Sequence, residues 1–286
     1  TEPYKALPVA RLAGVPVSPA TMGANLIAVQ TAPSVGDPGG TLARVEALLL
    51  GASKQRASLV VLPELFPFYL PLSASRAAEA AALSQVILRR LQASVREWGF
   101  YLVASLVELD EGRLYSTAYL LGRDGSLAGK YRKAHLSAVE RAWASPGDEL
   151  PVFATDFCIV GILLGSEMRV FEAARVLAAQ GADLLAVPAS WQDRHEGSLH
   201  VCERALENRV FVAVANRLDT PIAGRSKVVT PSGTAAAEGT AGTEQFVKAY
   251  VNLALARDKC VGPDTDVFRH RTPEAYGALT RLQRAL

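Results

Sequence analysis

Cysteine and charge are both scarce in this chain of 286 residues, and each shortage removes a class of protein. The three cysteines, Cys158, Cys202 and Cys260, are odd in number and far apart, which argues against a disulfide framework and against the close spacing of zinc or redox motifs. Packed or unremarkable thiols are the simplest reading of all three. Charged residues form 20% of the sequence and leave a formal net charge of +2 without a basic run. Neither a nucleic-acid footprint nor a membrane-surface patch is therefore indicated, and small-molecule or protein partners are expected. No apolar run approaches the roughly eighteen residues of a membrane span, and the N-terminal residues lack the order of a signal peptide, so a cytoplasmic location is expected. Metal-ligand spacings and phosphate-cradling loops are missing too, and neither a metal nor a cofactor is expected.

What the chain does have is apolar sequence: 50% of residues are hydrophobic, enough for a large core and too many for disorder. The stretch from Thr1 to Gly23 holds four prolines and no sustained periodicity, and reads as an extended arm or linker before a domain spanning 24–286. Asn25 to Gln30 and Ser58 to Pro63 are strand-like, with helical spacing from Gly40 to Ala52 between them. A long helical segment from Ser73 to Trp98 follows. Strands at Tyr101 to Glu108 and Leu114 to Leu121 come next, then a turn at Arg123-Asp-Gly125 and a further short strand. Beyond Phe157 to Leu164, the helix Val170 to Gln180 should stop at Gly181, where a left-handed cap belongs. Ala182 to Pro188, a helix from Gly197 to Arg209, and strands at Val210 to Asn216, Lys227 to Thr230 and Gln245 to Leu255 complete the reading. No internal repeat is evident. Alternating strands and helices mixed with hairpins predict α/β layers whose sheets are not purely parallel.

The most informative segment is Ile159-Val-Gly-Ile-Leu-Leu-Gly-Ser-Glu-Met-Arg-Val-Phe-Glu172, where a buried apolar run ends in a turn that opens an amphipathic helix. It resembles the nucleophile turn of the nitrilase superfamily, the carbon-nitrogen hydrolases. The family pattern there is Gly, three mostly apolar residues, Cys, an aromatic, Asp, any residue, Arg, Phe, Pro, Glu. Registering Gly161, Arg169 and Glu172 on it puts Gly165 in the cysteine slot. Other matching pieces keep the family's order: Ala28-Val-Gln30, Leu62-Pro-Glu-Leu-Phe66, Leu114-Tyr-Ser-Thr-Ala118, Gly129-Lys-Tyr-Arg-Lys-Ala-His-Leu136, Arg204-Ala-Leu-Glu-Asn208 and Arg271-Thr-Pro-Glu-Ala-Tyr276. Together they cover Ala24 to Leu279.

The resemblance implies an α/β fold, a four-layer α-β-β-α sandwich with two mixed β-sheets, assembled as a homodimer or larger homo-oligomer. It also implies a chemistry in which a thiolate attacks an amide or nitrile carbon, a carboxylate moves the proton and a cation stabilises the oxyanion. Glu64 matches the general base, Lys133 the catalytic lysine, and Gly165 leaves the nucleophile position vacant. Glu140, Ser166 and Trp191 are candidate substrate-binding residues. From the residues alone, the competing readings are that Glu64 caps a turn, Lys133 is a solvated sheet edge, Glu140 surface charge and Trp191 plain packing. His135 matches a position of structural importance. Glu167 stands where the family commonly has Asp, and Ser116 replaces its common Asn. The expected protein binds a small amide or carboxylate, or a protein partner, without normal amidase or nitrilase turnover. The alternative is an active C–N hydrolase using Ser166 or a Glu64-activated water. Substrate choice would rest on loops near Pro67 to Leu72, Ser137 to Gly147 and Trp191 to Leu199.

Overall fold

The computed structural model describes residues 23–192 and 199–280. All of the proposed N-terminal arm except Gly23, and the middle of the loop after Trp191, lie outside the described residues.

Twelve strands form two six-stranded sheets. The first sheet contains β1 (Gly23–Gln30), β2 (Leu59–Val61), β3 (Tyr101–Asp110), β4 (Arg113–Leu121), β5 (Leu127–Arg132) and β12 (Gln245–Asn252), in the order β12-β1-β2-β3-β4-β5. The second contains β6 (Val152–Ala154), β7 (Ile159–Ile162), β8 (Leu184–Ala189), β9 (Phe211–Asn216), β10 (Lys227–Val229) and β11 (Ala235–Glu238), in the order β11-β10-β9-β8-β7-β6. Helices α1 (Pro38–Lys54) and α2 (Ala74–Trp98) connect strands of the first sheet, while α3 (Phe171–Ala179) and α4 (Val201–Asn208) connect strands of the second.

The two sheets repeat one plan. In the first, β1, β2 and β3 run parallel, β4 and β5 follow antiparallel, and β12 lies antiparallel on the far side of β1. In the second, β7, β8 and β9 run parallel, β10 and β11 follow antiparallel, and β6 lies antiparallel on the far side of β7. Each half is a β-α-β-α-β unit with a hairpin appended. The repeat missed in the sequence is thus one of topology, and it has a faint echo in the chain: Ser58-Leu-Val-Val-Leu-Pro63 and Asp183-Leu-Leu-Ala-Val-Pro188 are the middle strands of the two halves.

Period-two alternation sorts the strand side chains into layers. Leu26 and Ala28 of β1 join Leu184 and Ala186 of β8 in a core between the sheets. Ile27 and Val29 point the other way, onto Val45 and Leu49 of α1 and Leu91 and Val95 of α2. Leu185 and Val187 of β8 pack with Ala173 and Leu177 of α3 and Ala205 of α4. Three apolar layers between four layers of structure make an α-β-β-α sandwich, as the resemblance implied.

Local chemistry explains the boundaries. Ser73 caps α2 by accepting from the Arg76 N–H, and Gly99 ends the helix in a left-handed conformation. Helix α3 stops as expected at Gly181, whose φ of +99° lets its N–H and that of Ala182 close on the Ala178 and Leu177 carbonyls. The turn expected before α3 is a 3-10 helix over Gly165–Arg169, the start of the helix expected from Gly197 lies outside the described residues, and the short strands β6 and β11 were not anticipated. Among the described residues no helix is long and apolar enough to cross a membrane.

Candidate functional site

The chain leaves β2 at Leu62-Pro63 and turns sharply, with Leu65 at a φ of +45°. A residue with a β-carbon rarely adopts that conformation, and it is held here by Arg217, which sits just past β9 and is 1% exposed. Its guanidinium donates to the carbonyls of Glu64 and Leu65 at 3.1 Å each and of Phe68 at 2.8 Å, and it pairs twice with Asp219. The clamp aims the Glu64 carboxylate inward, where it is buried.

Lys133 follows β5 and is equally buried. Its backbone is pinned on both sides, the N–H donating to the Ser116 carbonyl at 2.9 Å and the carbonyl accepting from Gly147 at 2.9 Å. Its ammonium donates to Glu64 Oε1 at 2.7 Å and to Glu140 Oε1 at 2.5 Å. Glu140 opens a short 3-10 helix, and its other oxygen accepts from the Ser137 N–H at 2.8 Å while Ser137 Oγ accepts from the Glu140 N–H at 3.3 Å. Glu64, Lys133 and Glu140 are therefore one carboxylate-ammonium-carboxylate cluster.

One cation shared between two carboxylates divides their titration. Burial raises the Glu64 pKa above the ordinary carboxylate value, Lys133 opposes this only in part, and the charge on Glu140 adds to it. Burial also pushes Glu140 upward, but Lys133 and the Ser137 hydrogen bonds outweigh it and hold the group low. Burial acts to discharge Lys133, and the two carboxylates more than offset it, so its pKa is raised. The result is a permanent ammonium beside a carboxyl poised to exchange its proton.

Gly165 faces this cluster from the second sheet. Its φ is +44°, and a β-carbon at this residue would run into Glu64 Oε2. That oxygen also accepts from Ser190 Oγ at 2.6 Å. Ser190 follows β8, and the two middle-strand ends are joined directly by a Glu64 N–H to Ala189 carbonyl bond of 3.3 Å. Ser166, one residue past the elbow, is half-buried and makes no side-chain hydrogen bond to Glu64 or Lys133. Trp191 backs the elbow: it is 1% exposed, packs in the core with residues of α3 and α4, and donates its indole N–H to the Gly165 carbonyl at 3.2 Å.

Glu167 ties the elbow to the lysine strand. Its Oε1 accepts from the Tyr131 hydroxyl at 2.6 Å and from the N–H groups of Ala134 and His135 at 3.2 and 3.1 Å, and its Oε2 accepts from the Leu164 N–H at 2.9 Å. His135 Nδ1 lies 3.0 Å from Oε1, and this hydrogen bond raises the histidine pKa. The Ser116 hydroxyl is buried without a partner. The thiols take no part: Cys158 is buried between the sheets, Cys202 is half-buried on α4, and Cys260 is exposed. Sequence reasoning missed Ser190 and Arg217. The signal for Arg217 was a lone basic residue directly after an apolar strand, whereas nothing local distinguished Ser190.

A carboxylate, an ammonium and a second carboxylate converging on strand ends of an α-β-β-α sandwich define a nitrilase-like protein. A model described as carbon-nitrogen hydrolase matches residues 26–259. The chain belongs to the carbon-nitrogen hydrolase family. It is 33% identical over 258 residues to a nitrilase of Pyrococcus abyssi, covering 87% of this chain and 97% of that protein. It is 32% identical over 249 residues to the human omega-amidase NIT2, covering 79% of this chain and 87% of that protein. Among solved structures, a variant of the amidase from Nesterenkonia sp. AN1, bearing the acetamide moiety of fluoroacetamide on its active-site cysteine, superposes with a TM-score of 0.76. That match is 25% identical and covers 90% of this chain and 95% of the other.

Proposed function

We propose that the Glu64-Lys133-Glu140 cluster holds a small amide, or the related carboxylate, and that the thiol-dependent turnover of the family is absent because Gly165 occupies the nucleophile position. The observation that carries this reading is the contact between a β-carbon at 165 and Glu64 Oε2. It puts residue 165 beside the candidate base, as a nucleophile needs to be, with a residue that offers no sulfur. The covalent adduct on the active-site cysteine of the Nesterenkonia amidase supports the comparison, since that protein reacts through a cysteine, the residue type whose position Gly165 takes in this reading. In this reading Lys133 polarises the ligand carbonyl, Glu64 exchanges a proton with it and Glu140 keeps the lysine charged and in place.

The test is isothermal calorimetry with acetamide, butyramide and their carboxylates. Binding of at least one, lost in Lys133→Met, is expected; absence of heat from every compound overturns the reading. The family preference for homo-oligomers favours a second copy of this chain as partner, within the cytoplasm. Exposed Phe171, Val176, Leu206 and Tyr276 on and around α3 and α4 support such a face. Light scattering coupled to size exclusion should return a dimer mass, and a monomer at micromolar concentration would remove the proposal.

A further inference from the structure

Loss of sulfur at the elbow does not leave the base without a nucleophile beside it. Ser190 Oγ is hydrogen-bonded at 2.6 Å to the same Glu64 oxygen that a β-carbon at residue 165 would run into. The serine hydroxyl is thus bonded to the side of the base that faces the elbow, while the opposite oxygen is taken by Lys133 at 2.7 Å. Among the described residues it is the only side-chain hydroxyl bonded to Glu64, and Ser190 is half-buried rather than sealed in the core. Its place follows from the repeated fold, because Glu64 and Ser190 follow the middle strands of the two halves and those strand ends meet.

We propose that Ser190 is an acyl-accepting nucleophile of this site, with Glu64 as its base and Lys133 as the cation for the oxyanion, acting on short-chain acyl compounds with a good leaving group. This rests on the reading that the site takes a small amide-like acyl compound. Ser190 Oγ forms a bond to the carbonyl carbon while its proton passes to Glu64 Oε2, and the carbonyl electron pair moves to an oxygen facing the Lys133 ammonium. On collapse the bond to the leaving nitrogen or oxygen breaks, and the leaving atom takes the proton from Glu64. Water then attacks the acyl-serine ester with Glu64 again accepting the proton, which returns to Ser190 as the carboxylic acid departs. One water is consumed, and no oxidant, reductant or metal is needed. A serine is a weaker nucleophile than a thiolate, and no histidine intervenes between it and the carboxylate, so activated esters and anilides are the expected substrates rather than simple amides.

The experiment uses 4-nitrophenyl acetate with the native chain, followed by peptide mapping of acid-quenched samples by mass spectrometry. The expected result is one acetyl group on the peptide containing Ser190, and nitrophenolate release that falls on the order of 100-fold in Ser190→Ala. Ser190→Cys should restore release and carry the acetyl group as a thioester. Acetylation elsewhere with Ser190 unmodified, or release unchanged in a folded Ser190→Ala, overturns the proposal. Calorimetry with butyramide on the same samples separates the two ideas. If amide binding persists without acetylation, the Ser190 step alone falls; if binding is absent too, the proposed ligand site falls with it.

Discussion

The first sheet buries two glutamates among cations on opposite terms. Glu108, on β3, accepts from Arg132 at 2.8 and 2.9 Å, from Lys130 at 2.6 Å and from Thr117 at 2.8 Å. Burial pushes its pKa up, yet these donors overcome it and bring the group down to about 2. Glu64 has one cation, and that cation also serves Glu140. Its pKa moves up instead. Both carboxylates are buried, so burial alone does not set their chemistry; what differs is the number of positive charges per negative one. Two cations for two carboxylates, since Arg132 also pairs with Asp110, give a clamp that ignores pH over the physiological range. A surplus of carboxylates gives a group that trades its proton easily, which is what a base requires.

The comparison is broken most severely by removing its shared cation. Lys133→Ala leaves two buried carboxylates facing each other and should cost about 3–5 kcal/mol in urea unfolding. Arg132→Ala leaves Lys130 and Thr117 on Glu108, and its cost in the same measurement should be clearly smaller. Next in size is Gly165→Ala, which forces a side chain into a left-handed backbone and against Glu64. A loss of about 2–4 kcal/mol is expected, with partial recovery in Gly165→Ala/Ser190→Ala because the carboxylate is then freer to withdraw.

Stability against pH sharpens the contrast, since the two glutamates contribute with opposite sign. Glu108 has a depressed folded pKa, so its stabilisation is present above the unfolded value of 4.5 and is lost as pH falls toward about 2. Glu108→Gln should remove roughly 2 kcal/mol of that acid-side decline in unfolding free energy, allowing for the solvent around its cations. Glu64 has a raised folded pKa, and its contribution declines as pH rises above 4.5. Glu64→Gln should therefore flatten the curve on the neutral side rather than the acid side. A Glu64→Gln curve that loses its slope below 4.5 instead would contradict the assignment. The smallest effect belongs to Trp191→Phe, which strips one hydrogen bond from the Gly165 carbonyl and should cost about 1 kcal/mol in the same unfolding assay.

Much of this arrangement was legible before any coordinates. Alternation of apolar residues gave the inner strands, glycine gave the end of α3, and motif order put Glu64, Lys133, Glu140 and Gly165 near one another, as the geometry has them. The rest was hidden for physical reasons. Strand β11 is Ala235-Ala-Ala-Glu238, a composition with little strand preference that pairing with β10 imposes. The side of the elbow on which Trp191 lies depends on its indole finding a buried carbonyl, which no local pattern reports. Ser190 is 126 residues from the carboxylate it touches, and only the meeting of two strand ends makes them neighbours.

The repeated plan of the two sheets carries a consequence for assembly of the molecule. One half supplies Glu64, Lys133 and Glu140, the other supplies Gly165, Ser190 and Trp191, and neither half alone contains a complete set. The candidate site is thus a property of the seam. Any small molecule gripped there fastens one half to its counterpart, so occupancy should slow their separation even if neither half becomes internally more rigid.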